Sequence, residues 1–313
     1  MAAGETASRP AEHGADIGPL LRLYRRFAKP IWFLAWTIAA GVFLWFVLDV
    51  DWDVVGDYLF DYRVMEGVEV TIKLTLWSMF FGVILGVVFG VMRVSQSAMA
   101  SGAAGLYIWL IRGTPLLLQI LVVFFGLREF VAPESLGFGR TDAPFGSIPL
   151  LEDFNNIRFR AAVLALAINE GAYMAEIVRG GIISVDPGQT DAARSLGMTN
   201  LQATRRIILP QALRVMVPPS GNEFIAMAKN SSLVSVIGVF ELLKWSQSLY
   251  ADNFQVMELL LVAAFWYLVI TSVLSIGQAW LEAHLSLERQ RGTPFWQRVG
   301  QIFTNPRQAH EGA

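Results

Sequence analysis

The chain has 313 residues, of which 54% are hydrophobic and only 16% charged, against about 25% charged in an ordinary soluble domain. So much apolar surface has to face lipid, which excludes a soluble fold. The net charge of -2 lends no support to nucleic-acid binding, and the absence of cysteine removes disulfides, thiol chemistry and cysteine metal sites.

A helix that crosses the bilayer needs about 20 mostly apolar residues, at about 1.5 Å rise per residue through about 30 Å of hydrocarbon. Residues 1–29 are a polar, basic tail, and the first 18 have the composition of a disordered segment. The first apolar run, Ile31–Leu48, has no internal charge and is too long for the core of a signal peptide, so residues 30–50 read as a retained accessory helix. In 51–66, an extracytoplasmic amphipathic segment, Trp52, Val55, Leu59 and Tyr62 recur at helical spacing among aspartates. An interfacial helix and an ordinary surface helix both fit that pattern.

The second span is Leu74–Met92, where Gly82, Gly86 and Gly90 lie four apart and allow close helix packing. The third is Leu106–Leu127. A long connection punctuated by glycine and proline, Arg128–Arg158, then offers itself to any partner on the outer side. The fourth span is Phe159–Ile183, the fifth Val217–Phe240 and the sixth Leu259–Leu281. Trp296, Val299 and Phe303 repeat an amphipathic spacing in the tail 285–313. The expected fold is all-α and integral to the membrane, with six transmembrane helices.

Basic residues sort to alternate connections. Arg22, Arg25, Arg26 and Lys29 precede the first span; Arg194, Arg205, Arg206 and Arg214 separate the fourth and fifth; Arg289, Arg291, Arg298 and Arg307 follow the last. By the positive-inside rule both termini and the loop 184–216 are cytoplasmic.

That loop carries more local chemistry than a connector needs. Asp186 is placed to cap a helix that begins at Pro187, with Gln189 at capping-box spacing, and the helix should run to about Leu196. Gly197 suits a left-handed terminator, and Thr199 with Gln202 forms a second capping box. Two short helices then meet at a glycine elbow. Ala192 and Ala193 permit close packing, while Leu196, Leu201, Ile207, Ile208 and Leu209 supply apolar anchors. Docking to a cytoplasmic motor and packing beneath the chain's own helices fit these residues equally.

Asp191, Ala192, Ala193, then Gly197, then Ile207, Leu209 and Pro210 stand at the spacing of the cytoplasmic loop of the membrane permeases of ABC importers, and the chain resembles that family. Aspartate replaces the family's glutamate at 191, which keeps the charge and shortens the reach. GVEVTIKLTLWS, IRGTPLLLQILVVFFGL, GAYMAEIVRGGI and IAMAKNSSLVSVIG further resemble the branch that imports histidine, arginine, glutamate and glutamine. The resemblance covers residues 67–284 and implies a type I importer (MetI-like) fold, a five-helix core to which the first helix is an accessory. It also implies a dimer of cytoplasmic ATP-binding subunits holding ATP and Mg, a second permease subunit of the same or a related kind, and an extracytoplasmic solute-binding protein. The chain itself would hold no cofactor and catalyse nothing. It would sit in the bacterial cytoplasmic (inner) membrane, with the loop, residues Asp191, Ala192, Ala193, Leu196, Gly197, Ile207, Leu209 and Pro210 among it, coupling to the ATPase.

Glu170 and Lys229 are expected near the middle of their helices, where an ionised group costs about 2.5–3.5 kcal/mol. They line a path and meet the ammonium and carboxylate of an amino acid, with Tyr173 and Asn230 beside them, or they form a structural ion pair. Glu176 and Arg112 are expected nearer the inner surface, as a gate or helix pin. A secondary transporter driven by an ion gradient is the alternative function, with Glu170 as proton carrier. No inverted repeat supports it. A membrane enzyme has little in its favour: His13, His284 and His310 form no metal-spaced pair.

Overall fold

The structure, a computed structural model, describes residues 36–38, 40–41, 50–131 and 156–285. The chain divides into two units, residues 1–52 and 53–313. In the first, backbone at 36–38 and 40–41 is helical; the remainder of the expected span Ile31–Leu48 lies outside the described residues. So do most of both tails, the repeat of Trp296, Val299 and Phe303, and 132–155 of the long connection.

From Trp52 onward the described residues are helical, with no strand among them. In order they form α1 (Trp52–Leu59), α2 (Tyr62–Arg93), α3 (Ala98–Arg112), α4 (Leu116–Val131), α5 (Ile157–Ile183), α6 (Pro187–Ser195), α7 (Asn200–Ala203), a π-helical turn (Thr204–Ile208), α8 (Leu209–Asn230), a 3-10 segment (Ser231–Ile237), α9 (Leu242–Asn253) and α10 (Val256–Leu285). Three of these, α2, α5 and α10, are long and apolar enough to cross a membrane. Two bent pairs raise the number to five if each is one span: α3 with α4, at 106°, and Asn200–Ile237 with α9, at 47°.

The second span starts at Tyr62, well before Leu74, because Asp61 caps it. Asp61 Oδ1 accepts the Arg63 backbone N–H at 2.9 Å and its Nε–H at 3.1 Å. The Arg63 guanidinium also holds the Asp61 carboxyl below its ordinary 3.8. Inside α2 the buried Thr71 and Thr75 hydroxyls donate to carbonyls four residues back, each at 2.8 Å, which spares hydrocarbon an unpaired polar group. At the end of α1, Trp266 Nε1 donates to Leu59 O at 2.8 Å and Asn253 donates to the Tyr58 hydroxyl at 3.2 Å. This end of the amphipathic helix is therefore pinned to α9 and α10.

The glycines of α2 face α5. A Cβ built on Gly82, Gly86 or Gly90 would lie 2.7 Å from Glu170 Cβ, 2.3 Å from Met174 Cβ and 2.7 Å from Val178 Cβ respectively. Only glycine permits that approach, and close backbone packing is how helices associate where lipid offers no hydrophobic drive.

The expected straight span Leu106–Leu127 is broken at Gly113, Thr114 and Pro115. Pro115 has no N–H to offer the preceding turn, and side chains take its place. Thr114 Oγ1 donates to Leu110 O at 3.0 Å, and Gln119 Nε2 donates to Ile111 O at 2.7 Å and Thr114 O at 3.1 Å.

The fifth span also departs from expectation, starting inside the loop instead of at Val217. Helical backbone is continuous from Asn200 through the π turn to Asn230. Leu209 N–H reaches back to Thr204 O, so the turn widens just ahead of Pro210, which cannot donate. The 3-10 segment then stops at Gly238, whose φ of 77° is left-handed.

The unanticipated α9 is capped by the fully buried Glu241. Its carboxylate accepts Leu243 N–H at 2.9 Å, Lys244 N–H at 2.7 Å and the Tyr267 hydroxyl at 2.5 Å. Thr71 Oγ1 of α2 accepts Leu242 N–H at 3.2 Å. One polar knot thus joins α2, α9 and α10.

Candidate coupling surface and translocation path

At the loop, the local signals produce the structure they call for. Asp186 caps α6 by accepting Gly188 N–H at 2.7 Å, with Pro187 in the first turn. The cap runs through Gly188; the side chain of Gln189 does not close the expected box. Met198 N–H bonds Ala193 O at 3.1 Å and Gly197 N–H bonds Arg194 O at 2.9 Å, a Schellman ending, and Gly197 has φ 76°. The second capping box forms as expected: Thr199 N–H to Gln202 Oε1 at 2.9 Å, and Gln202 N–H to Thr199 Oγ1 at 3.3 Å.

Of the predicted coupling residues, Ala193 is buried and Asp191, Ala192, Leu196, Gly197, Leu209 and Pro210 are exposed, with Ile207 intermediate. Leu196 and Leu201 stand 81% and 77% exposed on either side of the elbow. Ala193, Ala203 and Ala212 supply the buried side instead. Self-packing therefore uses the alanines, and the large leucines stay exposed among the described residues. The second of the two expected short helices is the start of the long Asn200–Asn230 helix.

Along the membrane-crossing part, Glu170 and Tyr173 lie one turn apart on α5. Glu170 is 3% exposed, pressed against Gly82, and its Oε1 has no hydrogen-bond partner. Tyr107 of α3 stacks on Phe89 with centroids 4.0 Å apart and donates to Ile168 O at 2.6 Å. The Arg112 guanidinium carbon sits 5.2 Å from the centre of the half-buried Tyr173 ring, a cation–π contact. Toward the end of α5, Glu176 accepts two bonds from Arg179, at 3.0 and 2.8 Å.

Lys229 does not join this group. It is exposed and lies at the last turn of α8, with the half-buried Asn230 next to it. It was expected at mid-helix because the fifth span was placed at Val217–Phe240; the helix in fact ends at Asn230. No ion pair joins Lys229 to Glu170 among the described residues, so the pairing reading fails within this chain.

Sequence reasoning missed three polar groups. Gln119 Oε1 accepts Asn169 Nδ2 at 2.9 Å, which ties the α3–α4 break to the residue before Glu170. Glu241 is the buried cap described above. Glu223 of α8 is a half-buried carboxylate. The Gly-Thr-Pro triplet was a readable signal for the break; nothing local marked the partners that repair it.

Comparison with known proteins agrees with this geometry. Residues 81–287 match the family described as binding-protein-dependent transport system inner membrane component. The chain is similar to the arginine transport system permease protein of Corynebacterium glutamicum, 43% identical over 270 residues and 82% of each chain. It is similar to the glutamine transport system permease protein of Escherichia coli K12, 37% identical over 192 residues, 60% of this chain and 77% of the relative. Among solved structures, that of an amino acid ABC transporter with histidines is 37% identical, with a TM-score of 0.59 over 71% of this chain and 94% of that one. With the matched region covering more than half its length, this transport component, which is not itself an enzyme, belongs to the family of binding-protein-dependent transport system inner membrane components.

Proposed function

We propose that the chain is one half of the translocation unit of an ATP-driven type I importer for polar amino acids. Similarity to arginine and glutamine permeases supports the substrate class, and the observation that carries the coupling is the elbow at Gly197. It is built by caps and a Schellman ending, yet leaves Leu196 and Leu201 bare. Apolar knobs on a locally rigid support are what a groove on another protein grips. Asp191, Ala192, Ala193, Leu196, Gly197, Ile207, Leu209 and Pro210 form the coupling segment, and a dimer of ATPase subunits holds the ATP and Mg.

In this reading six helices cross the inner membrane, the first an accessory at 30–50, with both termini cytoplasmic. The remaining segments are the extracytoplasmic piece 51–66, the permease domain 67–284 with its coupling loop 184–216, and the two cytoplasmic tails. A solute-binding protein delivers substrate from outside, and a second permease, identical or related, completes the path. Glu170 and Tyr173 line that path, while Lys229 and Asn230 meet substrate nearer the other end of α8.

Co-expression with the ATPase tests the coupling. Leu196→Asp and Gly197→Val should abolish co-purification while the permease remains folded by gel filtration. If the ATPase stays bound to both variants, or if vesicles without it accumulate solute on an ion gradient, the importer reading is wrong.

A further inference from the structure

Gln278 of α10 meets α8 where its hydrogen-bond ladder is interrupted, and what that contact does rests on the importer reading above. Pro218 and Pro219 lie inside α8; without N–H groups they leave two successive rungs of the ladder unmade. Ser220 adds a third disturbance, its hydroxyl donating to Met216 O at 2.8 Å, a back-bond that bends helices. Gly221 follows, and a Cβ there would stand 2.7 Å from both Cγ and Cδ of Gln278. A glycine at 221 is what lets the amide reach the α8 backbone.

That amide is asked for more protons than it has. Its Nε2 lies 3.2 Å from Pro218 O, 3.1 Å from Asn222 Oδ1 and 2.8 Å from Glu282 Oε1, while an amide nitrogen carries two hydrogens. The Glu282 carboxylate, nearest and one turn away on the same helix, holds one of them. Pro218 O and Asn222 Oδ1 compete for the other. For α8 the two are not equivalent, because Pro218 O is also the acceptor with which the Asn222 backbone N–H closes its own rung. With the proton on Pro218 O, a side chain is inserted into the ladder just past two missing rungs, and the helix kinks. With the proton on Asn222 Oδ1, the rung is uncontested and the helix straightens.

We propose that Gln278 is a positioning residue for the transport step: its amide is a two-place latch that sets the bend of α8 at Pro218 and Pro219. The coupling elbow lies on one side of the break and residues 219–230 on the other, so the latch fixes how much of a displacement at the elbow reaches them. Nucleotide at the ATPase shifts the proton from one acceptor to the other.

The test is hydrogen exchange at the Asn222 backbone amide in the purified permease–ATPase complex, with Mg alone and with Mg plus a non-hydrolysable ATP analogue. In the wild type the two states should differ about fivefold in rate at that amide, as one contested hydrogen bond allows. Gln278→Met keeps the length and removes the donor. It should hold Asn222 at the slower wild-type rate in both states, a gain of protection that loss of a merely structural bond does not give. Asn222→Ala leaves the amide only Pro218 O on α8 and should hold position 222 at the faster rate in both states. Should Gln278→Met fail to assemble with the ATPase, Asn222→Ala decides by the same criterion. Faster exchange in Gln278→Met, or a nucleotide difference that survives in either variant, overturns the latch. So does a wild-type amide that ignores nucleotide while the elbow, residues 186–203, responds to it. If the elbow ignores nucleotide as well, the importer reading falls with the latch.

Discussion

Gly82, Gly86 and Gly90 lie where another helix presses on them, whereas Gly197 has nothing within 4 Å of where its Cβ would stand. In the seam between α2 and α5, glycine is needed for space, and the backbone is ordinary helix. At the elbow space is free, and glycine is needed for a φ of 76°. The seam is thus held by tertiary contact and the elbow by its own caps. Damage to the first should unfold the bundle, and damage to the second should disturb a surface and leave the bundle standing.

The largest expected effect is at Gly86, where an added Cβ meets Met174 Cβ at 2.3 Å and the Met174 backbone carbon at 3.0 Å. Overpacking costs about 1–3 kcal/mol, and Gly86→Leu should reach the top of that range because backbone has to move. Thermal unfolding in detergent measures it. Gly180→Ala, with nothing within 4 Å, is the control and should gain up to about 1 kcal/mol of helix propensity. Equal melting temperatures for the two variants would remove the seam from the comparison.

A middle-sized effect is expected at Gly197→Ala, about 1–2 kcal/mol for a side chain in left-handed backbone, with Gly197→Asn milder. Hydrogen exchange should rise in 186–203 while the melting temperature of the bundle stays nearly fixed. A global destabilisation instead would show that the elbow is part of the core.

The smallest effect concerns Asp61, a local cap like those of the elbow but at the start of a seam helix. Its carboxyl titrates below 3.8 in the folded chain because of Arg63. The stabilisation it adds is therefore complete above that value and fades as pH falls through the lowered one. Exchange protection of the first turn of α2 should drop only in that acidic window. A drop that begins near neutral pH would assign the cap to another group.

What could be read from the amino-acid sequence follows the same division. The caps at Asp186 and Thr199 and the terminator at Gly197 are encoded within a few residues, and they were legible. The cores of α2, α5 and α10 were legible as apolar runs. The break at Gly113–Pro115 was passed over because the apolar count continues through it, and its repair depends on Asn169, fifty positions away from Gln119. The unity of Asn200–Asn230 was hidden by a π turn and by Pro210, Pro218 and Pro219, which read as interruptions. Misplacing that helix is what put Lys229 opposite Glu170 and left Glu223 unnoticed. Glu241 read as one more acid, because its role depends on Thr71 and Tyr267 on other helices.

The unbroken helix from Asn200 to Asn230 spans about 45 Å at about 1.5 Å per residue. Leu201 stands at one end and Glu223 well along it, with no unwound residue between them. Under the importer reading proposed above, a tug on the leucine would travel to the carboxylate along one rod, with the π turn and Pro218 and Pro219 as its places to bend.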